Sequence, residues 1–255
     1  MKYFSYIALL TIILSSSALA LTNELKVAIF LEPPYVDLVD NKLVGENIDI
    51  INLLASSIKL TPVFLRCPPV RCLAMIKNGQ ADMLLGLSKL PSREKDLIFL
   101  NPPYLLQHQP LSFFTLKENN ISITHFNDLE SLLVGTLRGA AYFPLFDNNK
   151  TIKKVELTSR EQLVNMLLKA RIDTFLEREE SVLPLLSTKE DKDKITIAEY
   201  QYNKPINSYI VLSKHSTAKV YADQLSQVLA KAMADGTIKK IRQENQKKYA
   251  KKSLE

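Results

Sequence analysis

Three histidines and two cysteines in 255 residues leave little for metal or redox chemistry. His108, His125 and His215 stand far apart, and no His-Glu-x-x-His pair occurs, so neither a zinc helix nor a histidine-centred active site is expected. Cys67 and Cys72 have no histidine nearby, which leaves an incomplete ligand set for a metal. Glycine is scarce too, six residues in all. There is no Gly-x-x-x-x-Gly-Lys phosphate loop, and Gly86-x-Ser88 lacks the closing glycine of a nucleophile elbow because Leu90 stands there. Nothing assembles nucleophile, base and oxyanion donors, so no catalytic residue, cofactor or metal is expected. Beyond the first twenty residues no stretch is apolar enough to span a membrane. Internal repeats and low-complexity linkers are missing as well.

What is present is an ordinary globular composition, 46% hydrophobic and 24% charged, in a length that suits one large or two modest domains. Residues 1–20 have the order of an export signal: Lys2, an apolar run Ile7–Leu14, then Ala18-Leu19-Ala20, with cleavage expected after Ala20. The mature protein is therefore expected in the periplasm. Removing the signal removes one lysine and no acid, so the formal charge of +6 becomes +5. Much of that excess lies in Lys239–Lys252, read as a solvated basic helix face; export argues against a nucleic-acid partner. In an oxidising compartment Cys67 and Cys72 can bridge, although a strand end meeting a helix start can also prevent it.

Along the chain, Leu25–Phe30 reads as a strand broken by Glu32-Pro33-Pro34-Tyr35. A helix follows from Gly45, with Ile48, Ile51, Leu54, Ala55 and Ile58 at helical spacing. Thr61–Arg66 is the next strand, Val70–Lys77 a helix and Ala81–Leu87 a strand. That alternation with short connections implies a parallel sheet. Then comes a polar loop carrying Ser88 and Arg93, a helical turn opened by Ser92, and another apolar run ending at Pro102-Pro103-Tyr104. Polar groups at a strand end are where open α/β sheets bind ligands. Later strands are expected at Pro110–Lys117, Leu132–Leu137, Ile195–Tyr200 and Tyr209–Leu212. Ser159-Arg160-Glu161-Gln162 reads as a capping box opening a helix through Lys169. Val220, Leu225, Val228, Leu229 and Met233 form one apolar helix face, which Asp235-Gly236-Thr237 ends.

Several of these landmarks together resemble the periplasmic solute-binding proteins of family 3, the receptors of amino-acid ABC importers. Gly86, Ser88 and Arg93 stand at that family's spacings for residues that hold a ligand carboxylate. A guanidinium suits that task because its planar fork meets a carboxylate bidentately and never loses its charge. Pro34-Tyr35, Gly45-x-x-x-Asp49, Gly79-x-x-Asp82 and Asp235-Gly236-Thr237 match further landmarks, and the likeness covers residues 22–250. It also implies a turn at Gly135–Tyr142, where Leu137, Ala140 and a helix N-terminus face the ligand; the family's two hydroxyl residues are here Ala140 and Ala141. Arg178, between Glu177 and Glu179, stands where amino-acid receptors place an aspartate for the ammonium. Either a neighbouring carboxylate, Glu177 or Glu32, takes that task, or the ligand is not an ordinary α-amino acid. The bland reading of Glu177–Glu180 is a solvated helix start.

The resemblance implies a two-lobe α/β periplasmic binding protein of type II, each lobe a mixed, mostly parallel sheet flanked by helices. Residues 21–106 and 205–255 make lobe 1, residues 107–204 make lobe 2, and two crossings form the hinge. The expected function is that of a monomeric, non-enzymatic receptor for a small amino-acid-like or carboxylate-bearing ligand, serving an inner-membrane permease. Arg93, Ser88, Gly86, Tyr35, Glu32, Leu137, Ala140, Glu177 and Arg178 are the expected ligand residues. Two other classes stand beside it: an enzyme on the same fold, similar to cyclohexadienyl dehydratases, and a sensory or interaction protein that has lost transport.

Overall fold

The computed structural model describes residues 23–186 and 188–252, so the expected export signal at residues 1–20 lies outside the described residues. The chain builds two lobes, each a mixed sheet with helices on both faces. The first runs β1 (Glu24–Ile29), the hairpin β2 (Asp37–Val39) and β3 (Lys42–Val44), α1 (Glu46–Ser57), β4 (Thr61–Arg66), α2 (Pro69–Lys77), β5 (Met83–Leu87), α3 (Pro91–Glu94), β6 (Leu97–Phe99) and β7 (Leu105–Gln107). The second runs β8 (Leu111–Leu116), β9 (Leu133–Leu137), α4 (Pro144–Asn148), β10 (Lys153–Leu157), α5 (Arg160–Leu168), β11 (Thr174–Glu177), α6 (Glu179–Val182), α7 (Lys189–Lys194) and β12 (Ile195–Tyr202). The chain then returns to the first sheet as β13 (Ile206–Ser213) and closes with α8 (Ala222–Ala234) and α9 (Thr237–Lys252). Among the described residues no helix is long and apolar enough to cross a membrane.

The first sheet has the order β4-β1-β5-β13-β6, with β7 paired to the lower half of β13. The β4-β1-β5 trio is parallel, as its short helical crossovers require. The returning β13 lies antiparallel to β5, β6 and β7. The second sheet has the order β10-β9-β11-β8-β12, parallel from β10 to β11 and antiparallel at β8 and β12. The chain thus passes between sheets twice, between Gln107 and Leu111 and between Tyr202 and Ile206.

Side-chain alternation sets the layers. On β1, Val27 and Ile29 face a core shared with Ile51 and Leu54 of α1 and Leu225 and Leu229 of α8. Ala28, between them, faces Cys72 and Ile76 of α2 on the other side. In the second lobe, Phe113 and Leu176 pack against Phe146 of α4, while Phe114 and Phe175 pack against Leu163 and Leu167 of α5. Cys67, just past β4, and Cys72, in the first turn of α2, are joined in a disulfide.

Three local expectations are corrected. Leu90, not Ser92, precedes the turn after β5, because Pro91 takes the first helical position, where its fixed φ fits and no N–H is needed. No helix begins at Ala140 or Ala141; Pro144 sets the start of α4, and residues 138–143 form an irregular turn. Val220 and Met233 are 74% and 38% exposed, so they do not belong to the inward face of α8. Val220 precedes the α-helix in a 3-10 turn, where the 3.6-residue period does not apply.

Candidate functional site

The nine expected ligand residues come from both lobes and all line one cleft, which encloses about 1030 Å³, part of it open to solvent. From the first lobe, Gly86 and Ser88 leave the end of β5 and Arg93 follows on α3. Arg93 is only 5% exposed. Its Nη1 donates to Ser88 O at 2.8 Å and its Nη2 to Gly139 O of the opposite lobe at 3.0 Å. Burial pulls its pKa below the usual guanidinium range, opposed by the charge of Asp147. No carboxylate lies within ion-pair distance of Arg93 among the described residues. Its guanidinium keeps N–H groups beyond the two that hold carbonyls.

Glu32 and Tyr35 sit on the turn after β1, which is closed by reciprocal backbone bonds between Glu32 and Val36. Tyr35 Oη donates to Glu180 Oε1 across the lobes at 2.9 Å. Burial, then Glu180, push the phenol pKa well up, so the hydroxyl remains a donor. Glu32 Oε1 accepts from Arg160 Nη2 at 2.8 Å, again across the lobes. Glu177, 3% exposed at the end of β11, is no solvated helix start: its Oε2 lies 3.3 Å from Arg160 Nε. That contact is an ion pair rather than an aligned hydrogen bond.

Arg160 therefore holds both acidic residues of the cleft. Burial works against its charge, but Glu177 and Glu32 outweigh that and hold its pKa above the usual range. Sequence reasoning missed it, placing it only in a helix-opening turn. The turn itself forms: Ser159 Oγ accepts from Gln162 N at 3.3 Å, while the Gln162 side chain reaches back to Thr158 N rather than Ser159 N. One signal was available. A cation at the first residue of a helix opposes the helix dipole and asks for a partner elsewhere.

Arg178 caps α6 and faces the same cleft. Its Nε is buried and has no hydrogen-bond partner among the described residues. Burial lowers its pKa, against the raising effects of Glu177, Tyr35, Glu180 and Glu32. Leu137 and Ala140 line the second-lobe wall. In the same wall Tyr142 Oη accepts Leu137 N–H at 2.8 Å. Among the described residues no three His, Cys, Asp or Glu side chains group as a metal requires.

The model of one family, bacterial extracellular solute-binding proteins, family 3, matches residues 25–248. Among curated proteins none matches the sequence. Solved structures share the fold. An amino acid ABC transporter substrate-binding protein from Streptococcus pneumoniae, bound to L-arginine, superposes with a TM-score of 0.70 at 20% identity, covering 89% of this chain and 96% of that one. An arginine-specific periplasmic binding protein from Salmonella typhimurium gives 0.68 at 19% identity, over 87% and 98%. The ligand-binding core of GluR0 from Nostoc punctiforme, in complex with L-glutamate, gives 0.66 at 21% identity, over 85% and 96%.

Proposed function

Because this chain belongs to the bacterial extracellular solute-binding proteins, family 3, we propose that it is the receptor of an ABC importer. Its ligand is a small amino-acid-like or carboxylate-bearing solute, enclosed between the lobes. The family is one of binders, so the chain is not an enzyme, and its place is outside the cytoplasm. Release by cleavage after Ala20 and docking of the closed form on an inner-membrane permease are parts of the proposal. So is a hinge at residues 108–110 and 203–205, where the chain passes between sheets.

One observation carries the reading. Arg93 is buried in the cleft wall, oriented by two carbonyls from two lobes, with no carboxylate of the described residues on it. A water-poor cleft strengthens each charge-assisted bond that a ligand makes there. The L-arginine and L-glutamate held by the structural neighbours bring the ligand class to this chain.

The test is thermal unfolding against a panel of amino acids, dicarboxylates, polyamines and aromatic acids. A ligand at about 100 times its Kd is expected to add about 2.7 kcal/mol, a midpoint rise of roughly 5–10 °C for a protein of this size. Arg93→Ala is expected to abolish the rise. An unchanged rise in that variant refutes Arg93 as the anchor.

A further inference from the structure

We infer that the cleft takes a ligand with two anionic groups and no ammonium, a dicarboxylate in its simplest form, one group on Arg93 and the other on Arg178. The inference rests on the receptor reading above and narrows its ligand class.

Three inner guanidiniums face the cleft, those of Arg93, Arg160 and Arg178, together with two carboxylates, Glu32 and Glu177. Both carboxylates go to Arg160, at 2.8 Å and 3.3 Å. Each carboxylate gives Arg160 one oxygen, so an ammonium that binds either one has to compete with that guanidinium. Glu180 lies outside this cleft, in the neighbouring groove, and accepts the Tyr35 hydroxyl. Asp147 also lies outside it and accepts Tyr142 N–H at 3.2 Å and 3.1 Å. Arg138, at the rim, is exposed and lies 3.5 Å from Glu156. Among the described residues the carboxylates in and around the cleft are thus each engaged, while Arg93 and Arg178 have none within ion-pair distance.

Arg93 and Arg178 differ in what holds them. Arg93 is fixed by Ser88 O and Gly139 O, which leaves part of its fork facing the cleft. Arg178 has a buried Nε with no hydrogen-bond partner among the described residues. A carboxylate beside Nε and Nη2 supplies two parallel acceptors, the geometry a guanidinium prefers. An ammonium there meets a like charge in a partly dry site, where repulsion is poorly screened. The sequence left open whether a neighbouring glutamate replaces the missing ammonium site. The engagement of both glutamates by Arg160 weighs against it.

The experiment is calorimetric titration of the protein with malonate, succinate, glutarate and adipate, against L-glutamine, L-glutamate and L-arginine. Succinamate and glutaramate, the monoamides, keep the shape and remove one charge. At least one diacid is expected to bind, with its monoamide about 10- to 100-fold weaker, the range for one charge-assisted contact. Arg178→Gln is expected to shrink the difference between diacid and monoamide, because the diacid loses more affinity than the monoamide does. Arg178→Lys, which keeps the charge and guards against a folding defect, is expected to retain part of it. An amino acid that binds more tightly than every diacid overturns the inference and leaves the receptor reading standing. So does a diacid bound equally well by Arg178→Gln. Silence from every diacid and every amino acid overturns both.

Discussion

Arg160 carries two carboxylates at once, Glu32 from the opposite lobe and Glu177 from its own. The Glu177 side chain is 4% exposed, so its charge has little water to fall back on. Removing the partner of a buried charge costs about 3–5 kcal/mol, most of it the stranded ion. Arg160→Gln is therefore expected to lower the stability measured by denaturant unfolding by about 3 kcal/mol, and Arg160→Gln with Glu177→Gln by clearly less. Equal losses in both variants contradict a stranded charge. Residues of the cleft differ in how legible they were. Gly86, Ser88 and Arg93 fall within eight positions, so one glance along the chain collects them. Arg160 lies 128 positions from Glu32, and no local pattern joins two such residues.

Helix α1 starts at a glycine for a steric reason that reaches the cleft. Gly45 has φ of 125° and ψ of 167°, and a Cβ added there falls 2.3 Å from Tyr35 O. The same carbonyl accepts Asn47 N–H at 3.1 Å. The helix start thus grips the backbone of the turn that presents Tyr35 and Glu32. Gly45→Ala is expected to cost about 3 kcal/mol or more, since backbone strain alone reaches 1–3 kcal/mol and the clash is with backbone that cannot rotate away. A cost under about 1 kcal/mol, or the gain of about 0.4–1 kcal/mol that Gly-to-Ala brings at an unstrained position, contradicts this account. Elements with long apolar periods were legible: α1 and the β4 bounds follow the pattern read from sequence. Short elements were not. The β2–β3 hairpin, β7 and β10 have few apolar residues to mark them, and α4 starts where Pro144 stands rather than at the preceding glycine turn.

At the scale of the molecule, three polar contacts among the described residues join the lobes: Arg93 to Gly139 O, Arg160 to Glu32 and Tyr35 to Glu180. Their lengths, 3.0, 2.8 and 2.9 Å, describe a closed cleft held largely by polar contacts rather than by a continuous apolar core. The separate apolar cores of the lobes fit such an arrangement, because each lobe keeps its own packing when the cleft opens. Glu32→Gln weakens one contact without stranding a charge in a deep site, as Arg160 keeps Glu177. The variant is expected to show a larger ligand-free radius of gyration by small-angle scattering, with a saturating ligand restoring the compact value. A radius unchanged from that of the original protein sinks the idea that the Glu32–Arg160 pair helps hold the cleft shut.

The order of the longer elements, the α/β class and the position of Arg93 just past a strand end were decided by the sequence alone. Each depends on local quantities: apolar period, turn residues and spacing within a few positions. The tertiary structure decided which charges meet. Glu32, Arg160 and the adjacent pair Glu177 and Arg178 come from three separate segments and two lobes. Whether a carboxylate is open to a ligand or held by an arginine depends on a few ångströms set by packing. That distance turned a set of nine expected residues into a cleft in which, among the described residues, two guanidiniums have no carboxylate within ion-pair distance.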